Sequence, residues 1–228
     1  LAVLLAVLLA LTKIIQPGFG TSGIESLARA ALPFGFATSG MAVVIIAGGI
    51  DLSVASMMAV CAVTTAVLME RIAGVPAVII VLLAGVAMGA INGLLIVLTK
   101  VPDIVVTLAM LFVWEGVAML ILSSPGGSTA DWLQGAIRGS LIFSWLPKAF
   151  LIIAMVLVLL WGPLQRTKLG LSIYAIGSDE LAAFRSGISI GPTKVAAYAI
   201  CGLFCAFGGL SLAALTGIGE PVPGPYLM

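Results

Sequence analysis

Charge is absent from most of this chain and crowded into short gaps. No Asp, Glu, Lys or Arg occurs in residues 30–50, 52–69, 72–99, 149–165 or 195–219. An apolar stretch of about 18 residues or more, wound as a helix, crosses the roughly 30 Å hydrocarbon core of a bilayer. Strands of a membrane barrel need only about 10 residues and alternate polar with apolar. These runs are apolar on every side, so they predict helices. Only a lipid-embedded helical bundle accommodates so many of them in one chain of 228 residues.

Composition narrows the chemistry. Hydrophobic residues make up 62% and charged residues 8%, against about 25% charged in a soluble domain. The formal net charge is +1, which gives no electrostatic footprint for a nucleic-acid partner. Histidine is absent, and with it the commonest metal ligand and neutral-pH base. That excludes a Ser-His-Asp triad and a histidine-built zinc site, so catalytic and metal residues are both expected to be none. Cys61, Cys201 and Cys205 lie inside apolar runs and read as small packing residues rather than a disulfide framework.

The runs and the turn signals between them predict about seven spans: a partial one at 1–12, then about 31–50, 52–69, 75–99, 104–122, 148–165 and 195–217. Residues 1–11 lack the charged start of a signal peptide. The chain therefore reads as a single transmembrane domain, 1–228, incomplete at both ends. Short loops rich in Lys and Arg stay cytoplasmic, and Arg166, Lys168, Arg185 and Lys194 form the largest basic cluster. Placing 166–194 inside and counting back puts 123–147 outside, Lys100 inside, Asp51 inside, 13–30 outside and the N-terminus inside. Trp132 and Trp145 in the outer loop suit the headgroup interface, with a short surface or re-entrant helix between them.

Three constellations stand out. In Ala-Gly-Gly-Ile-Asp-Leu-Ser-Val, 47–54, Gly48 and Gly49 end one span, and Asp51 with Ser53 is suited to cap the start of the next. This reads either as a turn near the inner face or as a broken helix that exposes backbone polar groups to a substrate. Glu115 lies inside a span, where a carboxylate costs roughly 2.5–3.5 kcal/mol at the helix centre on insertion scales. It is either a structural contact between helices or part of a hydrated path. In the hairpin 166–194, Ser178 or Asp179 caps a short helix through Glu180, Ala182, Ala183 and Arg185, and Gly187 stops it. Such a rigid knob outside the bilayer suits a partner. Gly85, Gly89 and Gly93, and later Gly202, Gly208 and Gly209, allow close helix approach or line a path.

Taken in register, these segments resemble the permease subunit of sugar-type ABC importers, in the ribose/xylose/galactoside-like branch. The residues that carry the resemblance are Gly48-Gly49-Ile50-Asp51-Leu52-Ser53-Val54, Gly89-Ala90-Ile91-Asn92-Gly93, Val101-Pro102, and Val105-Val106-Thr107-Leu108. They continue with Tyr174-Ala175-Ile176-Gly177, Ala182-Ala183, Ser186-Gly187-Ile188, and Gly219 and Pro221 with Gly224, Tyr226 and Leu227. The chain departs from the family at Ala55, Asp103, Glu115 and Asp179.

The resemblance implies an all-α polytopic bundle with about ten spans in the whole protein. It implies ATPase coupling through Gly177, Ser178, Asp179, Ala182, Ala183, Ser186 and Gly187. A translocation path or helix break would involve Gly48, Gly49, Asp51, Ser53, Asn92, Thr107 and Glu115. It further implies cytoplasmic ATP-binding subunits, a second permease chain, an extracytoplasmic sugar-binding protein, and a multi-pass place in the bacterial cytoplasmic membrane. No Gly-x-x-x-x-Gly-Lys-Ser/Thr loop occurs, so this chain itself is expected to need no cofactor, the partner binding ATP and magnesium. The competing readings are an ion-coupled secondary transporter, which would show paired charges at depth, and an intramembrane enzyme, which would need a nucleophile with a base.

Overall fold

The computed structural model describes residues 2–16, 18–72, 74–140 and 146–222. They form ten helices: α1 (Ala2–Ile15), α2 (Thr21–Ile46), α3 (Val54–Arg71), α4 (Val75–Thr99), α5 (Asp103–Ile121), α6 (Asp131–Ile137), α7 (Lys148–Arg166), α8 (Lys168–Ser178), α9 (Glu180–Arg185) and α10 (Ile190–Thr216). Among the described residues the β structure is limited to two isolated bridges, Gly126 with Gly219 and Ser140 with Pro147. The protein is all-helical. Six helices, α2, α3, α4, α5, α7 and α10, are long and apolar enough to cross a bilayer. At 1.5 Å per residue, α1 extends about 21 Å and does not span alone.

The expected spans are recovered, with three corrections. α2 begins at Thr21, so part of the stretch expected as a loop up to residue 30 is helical. Its charges are compatible with a helix because Glu25 and Arg29 stand one turn apart, Nε to Oε1 3.6 Å, a spacing that pairs opposite charges on one face. α10 begins at Ile190 rather than 195 and carries Lys194 in its first turns. The hairpin 166–194 holds a second helix, α8, whose N-cap Thr167 accepts from the Gly170 amide at 3.1 Å. The short helix of the outer loop is α6. Trp145 and the segment with Gly224, Tyr226 and Leu227 lie outside the described residues.

α3 and α10 form the buried centre, and α10 packs along α4, α2 and α3. The α4–α10 seam is the tightest contact. A Cβ at Gly89 would strike the carbonyl oxygen of Tyr198, one at Gly85 that of Gly202, and one at Gly93 would lie 2.8 Å from Val195 Cα. Residue numbers rise along one helix as they fall along the other, so the two run antiparallel. With no side chain between them, the backbones gain dispersion contacts that lipid chains cannot match. α5 instead buries one stripe, Thr107, Met110, Trp114 and Ala118, at the spacing of a single helix face. Its other face, including Phe112 and Leu120, is exposed.

Candidate functional site

The α2–α3 break is built from a helix stop, an extended link and a turn. Gly48 has φ +82°, a left-handed conformation that glycine adopts without a Cβ penalty. The Gly48 amide bonds the Ile45 carbonyl and the Gly49 amide the Val44 carbonyl, both at 2.9 Å, which is the Schellman pattern. α3 then starts at Ser53 as N-cap, but no side chain caps its amides. Instead Asp51 Oδ1 accepts from the Ser53 amide at 2.9 Å and the Ser53 hydroxyl at 2.6 Å. The expected cap is therefore a turn just ahead of the helix. An Asp side chain competes well for a backbone amide two residues on.

A buried polar chain extends from this turn. Asn92 on α4 donates through Nδ2 to Ser53 Oγ at 2.7 Å, and Trp114 Nε1 on α5 donates to Asn92 Oδ1 at 3.1 Å. Asp51, Ser53 and Asn92 are fully buried. The chain satisfies both ends of the Asn92 amide inside an apolar bundle, where an unmet polar group costs several kcal/mol. Asp51 Oδ2 is buried, with no hydrogen-bond partner among the described residues. Burial, reinforced by the nearby Asp103 carboxylate, pushes the Asp51 carboxyl above its usual range against the lowering effect of its hydrogen bonds.

A second group of contacts holds the same segment from α5 and α10. Tyr198 donates to Asp103 Oδ2 at 2.8 Å and lies 3.3 Å from the Ile50 carbonyl oxygen. Thr107 Oγ1 is 2.8 Å from the Asp103 carbonyl and 3.2 Å from that of Ile50. The structure thus gathers Gly48, Gly49, Asp51, Ser53, Asn92 and Thr107 around one break. It adds Asp103, Trp114 and Tyr198, which the sequence reading did not place there. A hydroxyl in a charge-free span requires a partner when buried; that was the available signal for Tyr198.

Glu115 stands apart. It is half-buried on α5 beside Trp114, and among the described residues no hydrogen bond or ion pair reaches its carboxylate.

The hairpin 166–194 supplies the third element. Asp179 ends α8 and starts α9: its amide bonds the Ala175 carbonyl at 3.1 Å, and its Oδ1 accepts from the Ala182 amide at 2.9 Å. Asp179, not Ser178, is the cap, since Ser178 belongs to α8. At the far end Gly187, φ +83°, bonds the Phe184 carbonyl, and the Ile188 amide bonds that of Ala183. This is a second Schellman stop, with Ser186 at the C-cap. Glu180 pairs with Lys194 at 3.1 Å and ties α9 to α10. Of the two alanines, Ala182 is exposed and Ala183 is buried against the bundle. The outward side carries Leu181 and Phe184, 58% and 66% exposed, apolar residues outside every span.

Six spanning helices, a buried polar break and a capped hairpin beyond the spans define a multi-pass transport subunit. The profile of the family described as "Branched-chain amino acid transport system / permease component" matches residues 23–227, and the chain belongs to that family, one of transporter permeases and not enzymes. It is 29% identical over 230 residues to the ribose import permease protein RbsC of Escherichia coli K12, covering 96% of this chain and 70% of the relative. It is 34% identical over 208 residues to the galactofuranose transporter permease protein YtfT of the same strain, covering 88% and 59%. The autoinducer 2 import system permease protein LsrD of Escherichia coli K12 is 31% identical over 207 residues, covering 87% and 60%. The chain thus spans about three-fifths to seven-tenths of these relatives. No solved structure matches it.

Proposed function

We propose that this chain is the membrane-crossing subunit through which a sugar or sugar-like solute enters the bacterial cytoplasm, driven by ATP hydrolysed on a partner. The observation that carries the reading is α9. It is capped at both ends, tied to α10 by Glu180 and Lys194, and turns Leu181 and Phe184 outward where no span covers them. An apolar pair on a rigid knob is the kind of anchor that fills a partner's pocket. The ATP and magnesium would be held by that partner, since this chain has no phosphate-binding loop. A second permease chain would complete the path, and an extracytoplasmic binding protein would deliver the solute to the other end.

The orientation proposed is N-terminus inside. Contacts across the bundle support the alternation of ends. Glu25 accepts from the Gly139 amide at 2.7 Å, and Thr129 and Gly126 bond Gly217 and Gly219 at 3.0 Å. Glu25, Gly126, Thr129 and Gly139 lie in the segments counted as outside, and Gly217 and Gly219 follow the end of α10 opposite to the hairpin 166–194. Gly48, at the end of α2 beside Asp51, lies against Gly177 of the hairpin counted as inside, 3.6 Å from a Cβ position to Cα. The work of such a subunit is to hold conformations whose balance the partners shift by differential affinity.

The test is co-purification with the ATPase and uptake into proteoliposomes. Phe184→Glu should abolish retention of the ATPase and uptake together while leaving the melting temperature of the isolated permease unchanged. Undiminished uptake by that variant would refute the assignment. Ala183→Glu would not test docking cleanly, because Ala183 is buried and the new carboxylate would be forced into the bundle.

A further inference from the structure

The α2–α3 break is gripped from both sides. On one side stands the end of α8. A Cβ at Gly177 would collide with the Ile46 carbonyl oxygen and come within 2.8 Å of Ile46 C and 3.3 Å of Ala47 C. A side chain there has to push α8 off the end of α2, although Gly177 itself is exposed. On the other side, a Cβ at Gly49 would lie 2.6 Å from Asp103 Oδ2 and 2.7 Å from the Tyr198 hydroxyl. The next carbonyl, that of Ile50, is approached by Thr107 and Tyr198. Three residues beyond Ile50, Ser53 accepts from Asn92, and Asn92 in turn accepts from Trp114. α8 and α9 share Asp179 as stop and start, so a displacement of α9 is delivered to Gly177 without a flexible link.

We infer that Gly177, Asp103 and Tyr198 are positioning residues that transmit movement of the hairpin through the α2–α3 break to α4, α5 and α10. Gly177 pushes on the end of α2. Tyr198 and Asp103 receive the push at Ile50, and Asn92 passes it to Trp114. The chain is contiguous, and each step is a backbone contact or a hydrogen bond, partly buried for the bonds of Tyr198, Asp103 and Thr107 and buried for those of Asn92 and Trp114, an arrangement in which packed elements shift as units. The inference rests on the reading of α9 as the ATPase-docking knob.

The experiment uses the assembled importer in proteoliposomes and reads solute taken up per ATP hydrolysed, together with retention of the ATPase. Gly177→Ala leaves Leu181 and Phe184 untouched, so the ATPase should be retained while the ratio falls about tenfold, within the range seen for changes along coupling networks. Tyr198→Phe, which removes the hydroxyl at Asp103 and Ile50, should lower the ratio by a similar factor. Because both act on one segment, the double variant should fall about tenfold, not the roughly hundredfold of independent sites. A merely structural role would change melting temperature and yield but leave the ratio where it was. An unchanged ratio in Tyr198→Phe, or multiplicative losses in the double variant, overturns the inference; Tyr198→Phe decides alone if Gly177→Ala does not assemble. If the unaltered chain retains no ATPase, the docking reading itself fails and this inference falls with it. Retention with an unchanged ratio refutes only the transmission route.

Discussion

Asp51 lies where α2 gives way to α3 and is enclosed on every side, whereas Glu115, beside Trp114 on α5, stands half-open and, among the described residues, has no group bonded to it. Both are carboxyl groups in a chain made for lipid. Asp51 places one oxygen against two donors of Ser53 and leaves the other buried and bare, an arrangement that favours the protonated acid. It organises a turn. Glu115 organises nothing among the described residues, and yet a group whose insertion is costly is kept there. The comparison assigns burial with hydrogen bonds to architecture, and exposure without them to a hydrated surface or a second chain.

Breaking the polar chain at its middle should have the largest effect. Asn92→Leu orphans the Trp114 N–H and one contact of Ser53, both buried, at about 1–3 kcal/mol per stranded group. Melting in detergent should fall by several degrees, and an unchanged melting temperature would remove Asn92 from the architectural class. Trp114→Phe strands one buried group, Asn92 Oδ1, where Asn92→Leu strands two, so the hydrogen-bond part of its loss should be about half, with the smaller buried ring adding a packing loss.

Asp51 sharpens the comparison through pH. Its folded-state value is raised above the ordinary 3.8, chiefly by burial. The folded protein therefore holds the proton more tightly than the unfolded chain does. Stability from this group is whole below the ordinary value and is lost as pH rises through the folded one. Asp51→Asn keeps an acceptor oxygen and cannot ionise. The difference in melting temperature between Asp51→Asn and the natural chain should grow in favour of the variant as pH rises above about 4. Parallel curves would mean that Asp51 is not held as the acid.

Glu115→Gln should have the smallest effect on stability, within about 0.5 kcal/mol as for surface changes without partners, while the concentration dependence of uptake shifts several-fold. A fall in melting temperature with unaltered uptake would reverse the assignment and place Glu115 with Asp51.

The sequence shows the spans because charge is so costly in lipid that its absence marks them. It does not show where α2 begins, because Glu25 and Arg29 break the charge-free run while suiting a helix as well as a loop. α8 escaped for a related reason: its eleven residues carry no long apolar period, and a Thr cap is a weak signal. Asp51 and Ser53 were legible as polar residues that lipid tolerates poorly, Gly48 and Gly49 as a helix stop, and Asn92 through the family resemblance. The partnership of Asp103 with Tyr198 was not, since the two are 95 positions apart and meet only through packing. Nor does a six-residue helix contain enough turns to show that Ala183 faces in while Leu181 and Phe184 face out.

The glycine seam of α4 and α10 also sets a problem of timing. Chains are made from the N-terminus, and about ninety residues of synthesis separate the two helices at roughly 5–20 residues per second. Asn92 finds its partners early, since α3 precedes it and α5 follows at once. The groove formed by Gly85, Gly89 and Gly93 waits for α10, and lipid tails must line it meanwhile. Closing the seam expels those lipids, so α10 enters the bundle as the keystone, and a nascent chain halted before it would leave an open furrow for the cell's membrane quality control to find.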